Sequence, residues 1–267
     1  MEMLRPIIVD ADAPLARANP VAKLAAAAIL LVALFVSLDW VTALVILLGL
    51  AATVRWSGID PRLLLRRSWL IGLAAISIGI FNILFAAEQL GPIVLEVGPI
   101  RIGAETLVNG IGLMLRLLGI ALAGILATVT TEPSDLADAL IQQLHVSPRF
   151  AIGALAALRL IPLLARERQT IGLARRARGV DAGRNPVVAV RLAAGQLAAL
   201  LVGAVRRGSR MALAMEARGF GALPSRTVAR VQRMRRVDWA WMAGAAALAA
   251  LAIGVSLTLG TWRPLLG

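Results

Sequence analysis

TLVNGIGLMLRLLGIALAGILATVT, residues 106–130, is an apolar run whose single charge is Arg116. At about 1.5 Å of rise per residue, a helix of this length covers about 37 Å, more than the roughly 30 Å hydrocarbon layer of a bilayer. Backbone groups in lipid have no water to bond, so such a run closes its own hydrogen bonds as a helix. Outward from it, residues 21–38, 41–54, 69–87 and 239–259 carry the same signature, with Asp39-Trp40 as a tight polar break that makes a short hairpin of the first two. With 59% hydrophobic residues and a mean hydropathy of +0.82, the chain reads as all-α. It is a polytopic helical membrane protein of about five transmembrane helices plus a module of long helices. Cysteine is absent, which excludes disulfides and thiolate metal sites.

The distribution of basic residues sets the sidedness, because Lys and Arg near span ends are retained in the cytoplasm. Arg5, Arg17 and Lys23 flank the start of the first span, the hairpin tip has no base, and Arg55, Arg62, Arg66 and Arg67 form the next loop. The connection 88–105 carries three glutamates and one arginine, whereas residues 132–238 hold 18 of the 28 basic residues and only 7 of the 15 acidic ones. This alternation places the chain as a multi-pass protein of the cell inner or plasma membrane. The amino terminus and residues 132–238 are then cytoplasmic, and 88–105 and Trp262-Arg263-Pro264 external. Three regions follow: a membrane domain over 1–131 with four spans, an Arg-rich module over 132–238, and a final span with a short external tail over 239–267. All six tryptophans (Trp40, Trp56, Trp69, Trp239, Trp241, Trp262) fall at expected span edges, where indole prefers the headgroup layer. Gly91-Pro92 and Gly98-Pro99 bracket the stretch Ile93-Val94-Leu95-Glu96-Val97, the pattern of a small turn or hairpin. Asp10, Asp12, Pro14 and Pro20 make the start of the chain unlike a cleaved signal peptide.

The module divides into three helices. Thr131 is an expected N-cap with Pro133 in the first turn; Pro148 restarts a helix that runs toward Arg178, bent near Pro162; Pro186 opens the third. Residues 151–165 are too short to span alone and contain Arg159 and Pro162, and residues 187–205 contain Arg191 and Gln196. Both read as helices lying along the membrane or against a partner, with seven spans as the competing count. Two of the helices end in the same tripeptide, Ala177-Arg178-Gly179 and Ala217-Arg218-Gly219. Glycine there accepts the left-handed conformation that closes a helix, and arginine in the last turn suits the negative end of the helix dipole. A guanidinium held on such a stem can fork onto a carboxylate in a partner's groove. Glu216 is placed to orient Arg218, and Arg159 to anchor the module at lipid headgroups. Arg116, near mid-depth, has two readings: a functional intramembrane charge, or a fastener of spans through carbonyls or through Asn82 or Asn109.

Other classes lose support. Scarce aromatics and bases set beside apolar spans argue for docking to acidic protein or lipid rather than nucleic acid. The sole lysine, Lys23, lacks a phosphate-cradling loop, so the chain is not an ATPase. The sole histidine, His145, cannot build a metal site alone, and no nucleophile-elbow or Ser-His-Asp arrangement stands out. No catalytic residue, metal site or cofactor is expected.

Four segments change the weight of the tripeptides. Thr130-Thr131-Glu132-Pro133-Ser134-Asp135-Leu136, Leu158-Arg159-Leu160-Ile161-Pro162, Ala174-Arg175-Arg176-Ala177-Arg178-Gly179 and Ala214-Met215-Glu216-Ala217-Arg218-Gly219-Phe220, in this order, resemble the transmembrane T component (EcfT/CbiQ-like) of energy-coupling factor type ABC transporters. The resemblance extends back to the turn 98–105 and Arg116, and covers about residues 90–220. It implies a non-catalytic scaffold joining two ABC-type ATPase subunits, which bind ATP and Mg, to a membrane-embedded S component that binds a vitamin or metal ion. By it, Arg178 and Arg218 insert into grooves of the two ATPases, and the apolar sides of the coupling helices hold the S component. The alternatives are a stand-alone secondary transporter or channel, which calls for broken helices with mid-membrane polar residues, and an intramembrane enzyme, which calls for an interfacial carboxylate or histidine cluster.

Overall fold

A computed structural model of the chain describes residues 13–86, 91–97, 100–183, 185–221, 228 and 230–264. Arg5, Asp10, Asp12 and the Gly98-Pro99 turn lie outside these. The elements in order are α1 (Pro20–Val36), α2 (Trp40–Thr53) continued by a 3₁₀ turn (Val54–Trp56), α3 (Pro61–Leu84), β1 (Ile93–Val97), β2 (Ile100–Gly103), α4 (Ala104–Val129), α5 (Pro133–Gln143), α6 (Pro148–Ala177), α7 (Pro186–Ala217) and α8 (Arg236–Thr258). The protein is an all-α polytopic membrane protein whose one described sheet is the antiparallel hairpin β1-β2.

Local sequence explains where the helices begin. Asn19-Pro20, Asp60-Pro61 and Asn185-Pro186 each put an amide or carboxylate oxygen at the N-cap and a proline in the first turn, where its missing N–H costs nothing. Asn19 accepts from the Val21 N–H at 2.9 Å, Asp60 from Arg62 at 2.9 Å and Asn185 from Val187 at 3.0 Å.

The chain forms two compact units, Met1–Leu136 with Gln232–Gly267, and Ala137–Val231. In the first, α4 packs on α1, α2 and α3, while α8 packs on α1 and α2. Leu34, Ile46, Ala123 and Ala252 lie at the centre of the shared core. Helix association in lipid depends on close packing of small residues rather than on hydrophobic expulsion. Gly110 shows this most sharply, since a Cβ there would sit 2.2 Å from Ile83 Cγ1, and one on Gly112 would sit 3.3 Å from the backbone of Trp40. The second unit contains α6 and α7, and no residue of α7 is buried.

Four expectations change. Helix α3 begins at Pro61, so Arg62, Arg66 and Arg67 belong to a helix rather than to a loop, and Trp69 marks the edge only of its apolar part. The Asp60 cap and Pro61 start the helix ahead of the hydropathic signal. That helix also ends at Leu84, short of residue 87. Helix α6 is continuous through Pro162 for 30 residues, and α6 and α7, like α4 and α8, are long and apolar enough to cross a membrane by length and composition. Shortness therefore gives no ground for keeping 151–165 out of the bilayer. Thr131 does not cap α5: its hydroxyl donates back to the Ala127 carbonyl of α4 at 2.7 Å, and α5 begins at Pro133.

Candidate functional site

The ends of α6 and α7 are conformational copies. Arg178 and Arg218 are the C-caps, with φ, ψ of −91°, 9° and −88°, 9°. Each is followed by a left-handed glycine, Gly179 at φ 72° and Gly219 at φ 74°. The Gly179 N–H donates to the Arg176 carbonyl at 3.0 Å and the Val180 N–H to the Arg175 carbonyl at 2.9 Å. The Gly219 N–H donates to Glu216 at 2.9 Å and the Phe220 N–H to Met215 at 3.0 Å. Both ends are thus Schellman motifs, built on Ala177-Arg178-Gly179 and Ala217-Arg218-Gly219, and a side chain at either glycine would strain the left-handed turn by roughly 1–2 kcal/mol. Arg178 and Arg218 are exposed, and neither pairs with an acidic side chain among the described residues.

The two helices run antiparallel. The Arg175 guanidinium donates to the Leu192 carbonyl at 2.6 Å, Gln196 donates to the Arg168 carbonyl at 2.5 Å, and Arg207 pairs with Glu167 at 2.7 Å. At the other end Arg149 lies against Gly221. Because each arginine stands at the C-terminus of its own helix, antiparallel packing sends the two to opposite ends of the pair. A helix of 30 residues is about 45 Å long. The two tips therefore stand far apart, at opposite ends of the helix pair.

Beside the Arg218 tip, the start of α6 and the end of α7 enclose a groove of about 430 Å³ lined by Arg149, Gly153, Ala157, Gly208, Met211 and Met215 among others. Glu216 lines it too, and its backbone carbonyl, rather than its carboxylate, takes part in closing the helix. Arg159 and Pro162 lie on exposed parts of α6. Pro133 occupies the first position of α5, and His145, at φ 54°, turns the chain between α5 and α6. Among the described residues no group of His, Cys, Asp and Glu could hold a metal.

Arg116 reaches across the membrane unit to the Ser37 carbonyl at the end of α1. Asn82 and Asn109, named from the sequence as its partners, do not take that place; Asn109 lies 3.5 Å from Arg263 instead. Around the α1 terminus, the Ser37 hydroxyl donates to Asp39 and lies 3.1 Å from the Thr42 hydroxyl, and the Thr42 N–H donates to Asp39 at 2.7 Å. Burial works against the charge of Asp39, but the hydrogen bonds from Ser37, Thr42 and Ser256 outweigh it and hold the carboxyl below the usual carboxylate range. The Leu38 N–H donates to the Arg263 carbonyl at 2.8 Å, which straps the segment after α8 to the same turn. The fastening reading of Arg116 is the one this geometry favours. From the sequence Asp39 was legible only as a break between spans, because a lone polar residue at a span end resembles an ordinary interfacial one.

The family model described as CbiQ, cobalt transport protein, matches residues 11–228. An energy-coupling factor transporter transmembrane protein EcfT of Lactococcus lactis subsp. cremoris is 29% identical over 89% of this chain and 90% of its own length. Those of Leuconostoc gelidum subsp. gasicomitatum (31%, 68% of this chain and 67% of its own) and Listeria monocytogenes serotype 1/2a (31%, 77% and 78%) are similar to it as well. The matched region contains both arginine-tipped helices, and the chain belongs to the CbiQ family as an EcfT-like transmembrane component of energy-coupling factor transporters.

Proposed function

We propose that this chain is the non-catalytic coupling subunit of an ATP-driven importer, carrying movement from two ATPase subunits to a membrane-embedded S component. ATP and Mg are bound by the ATPases, and selectivity for a vitamin or metal ion belongs to the S component. The observation that carries the reading is the pair of superposable Schellman ends at opposite poles of an antiparallel helix pair. One guanidinium per pole suits one acidic groove per ATPase, with Ala177, Gly179, Ala217 and Gly219 fixing each stem. For both to meet cytoplasmic ATPases, α6 and α7 lie along the inner face of the membrane, a placement that agrees with the basic residues clustered at their ends. The amino terminus and residues 132–238 are then cytoplasmic.

The exposed apolar side chains of α7, such as Val190 at 70% and Leu197 at 68%, supply the surface for the S component and the lipid boundary. Each contributes about 1.5–3 kcal/mol if a partner covers it in place of water. Extraction in mild detergent tests the assignment. Two nucleotide-binding subunits and a small membrane protein are expected to copurify with the tagged chain from its own cell. Recovery of the chain alone, with uptake intact in that cell, would reject it.

A further inference from the structure

We propose that Lys23, the sole lysine, is a positioning residue that clamps both ends of the coupling module to the amino-terminal segment of the membrane unit. Its ammonium donates to the Thr130 carbonyl at 2.6 Å and to the Ala16 carbonyl at 3.0 Å. Thr130 is the C-cap of α4, the last residue before the chain departs toward α5. The return of the chain is held beside it. Asp238, in the first turn of α8 and 2% exposed, accepts from the Asn19 N–H at 2.7 Å and from the Arg235 N–H at 2.7 Å. Lys23 feels the charges of Asp238 and of Asp135 in the first turn of α5. One buried ammonium and one buried carboxylate, each spent on backbone groups, therefore fix the points where the chain leaves and re-enters the membrane unit.

A cavity of about 200 Å³, lined by Leu15, Ala27, Leu126, Trp241 and Leu248, opens directly beside Lys23. The Thr130 carbonyl, itself buried, therefore has a charge-assisted hydrogen bond fixing it on the side where the cavity opens beside Lys23. A lever transmits displacement only if its fulcrum holds still. If the module is a lever, as proposed above, loss of the clamp lets the departure point of α5 move and dissipates the stroke.

The clamp rests on the coupling reading, and the experiment separates the two. Complexes carrying wild type, Lys23→Gln and Lys23→Met are purified, matched for assembled subunits, reconstituted, and assayed for both uptake and ATP hydrolysis. Gln keeps a neutral amide donor without the charge, and Met keeps no donor. Because a hydrogen bond from a charged group is worth about 1.5–3 kcal/mol, uptake per ATP hydrolysed is expected to fall about tenfold for Lys23→Met. Lys23→Gln is expected to fall less, and hydrolysis is expected to persist in both. Wild-type uptake per ATP in both variants, or proportional loss of uptake and hydrolysis, overturns the clamp while leaving the scaffold assignment intact. If Lys23→Met does not assemble, Lys23→Gln alone decides. Failure of the wild-type chain to recruit ATPases would instead overturn the coupling reading itself.

Discussion

Reversing both tip charges, Arg178→Glu with Arg218→Glu, is expected to abolish copurification of the ATPase subunits and uptake, while the chain still inserts into the membrane. Removing one partner of a buried, hydrogen-bonded charge pair at an interface costs about 2–5 kcal/mol, so each tip alone accounts for roughly 30-fold or more in affinity. Local damage is small by comparison. A glutamate at an exposed C-cap opposes the helix dipole by about 0.3–1 kcal/mol, and the Schellman bonds are made by backbone, not by the arginine. Since the two tips occupy opposite ends of the α6/α7 pair, the single variants are expected to act independently and their losses to add. Each should weaken the hold on one ATPase and spare the other. Copurification from detergent, scored for each nucleotide-binding subunit separately, checks this; full assembly and uptake in the double variant would remove both arginines from the docking role.

The second large effect is expected in the membrane unit. Arg116→Met removes the guanidinium that donates to the Ser37 carbonyl, and losing a hydrogen bond from a charged group costs about 1.5–3 kcal/mol. That is a large part of the stability of an ordinary domain. Lowered expression and a lower unfolding temperature in detergent are the expected readouts. Arg116→Lys, which keeps a charged donor for the Ser37 carbonyl, is expected to retain most of the stability along with uptake. An Arg116 variant that is stable and assembled yet inactive would show that Arg116 acts in transport rather than as a fastener between α4 and the end of α1.

Much of this architecture is legible in the residues themselves, and the exceptions have physical causes. Helices α1, α2, α4 and α8 follow from unbroken apolar runs, and the starts of α6 and α7 from Pro148 and Pro186. The Ala-Arg-Gly endings announce themselves because a left-handed C′ position selects glycine at its own residue. By contrast, the first two turns of α3 are hidden among arginines, where hydropathy has no voice and only the Asp60-Pro61 cap speaks for a helix. Thr131 misleads because a threonine hydroxyl can bond back into the preceding helix as readily as it caps the next one.

Long-range polar pairings are the larger omission. Lys23 is read from the sequence as a topology marker, but its bonding partners lie at Ala16 and, 107 residues away, at Thr130. Asp238 looks like a span boundary, yet it meets the N–H of Asn19, 219 residues away. No local periodicity encodes such encounters, because they depend on which helix ends the fold brings together. The antiparallel course of α6 and α7 is a further case. The tripeptides reveal two prongs, but only the Arg207–Glu167 pair and the bonds from Arg175 and Gln196 show that the prongs point away from each other.

That opposition makes sidedness decisive. The chain has no cysteine, so Arg178→Cys and Arg218→Cys each introduce a unique thiol, and a membrane-impermeant maleimide can be applied to right-side-out and inside-out vesicles in turn. If α6 and α7 lie along the inner face, both thiols react only from the cytoplasmic side. Reaction of the two thiols from opposite faces would mean that the helices cross the bilayer, and would contradict coupling through paired cytoplasmic tips.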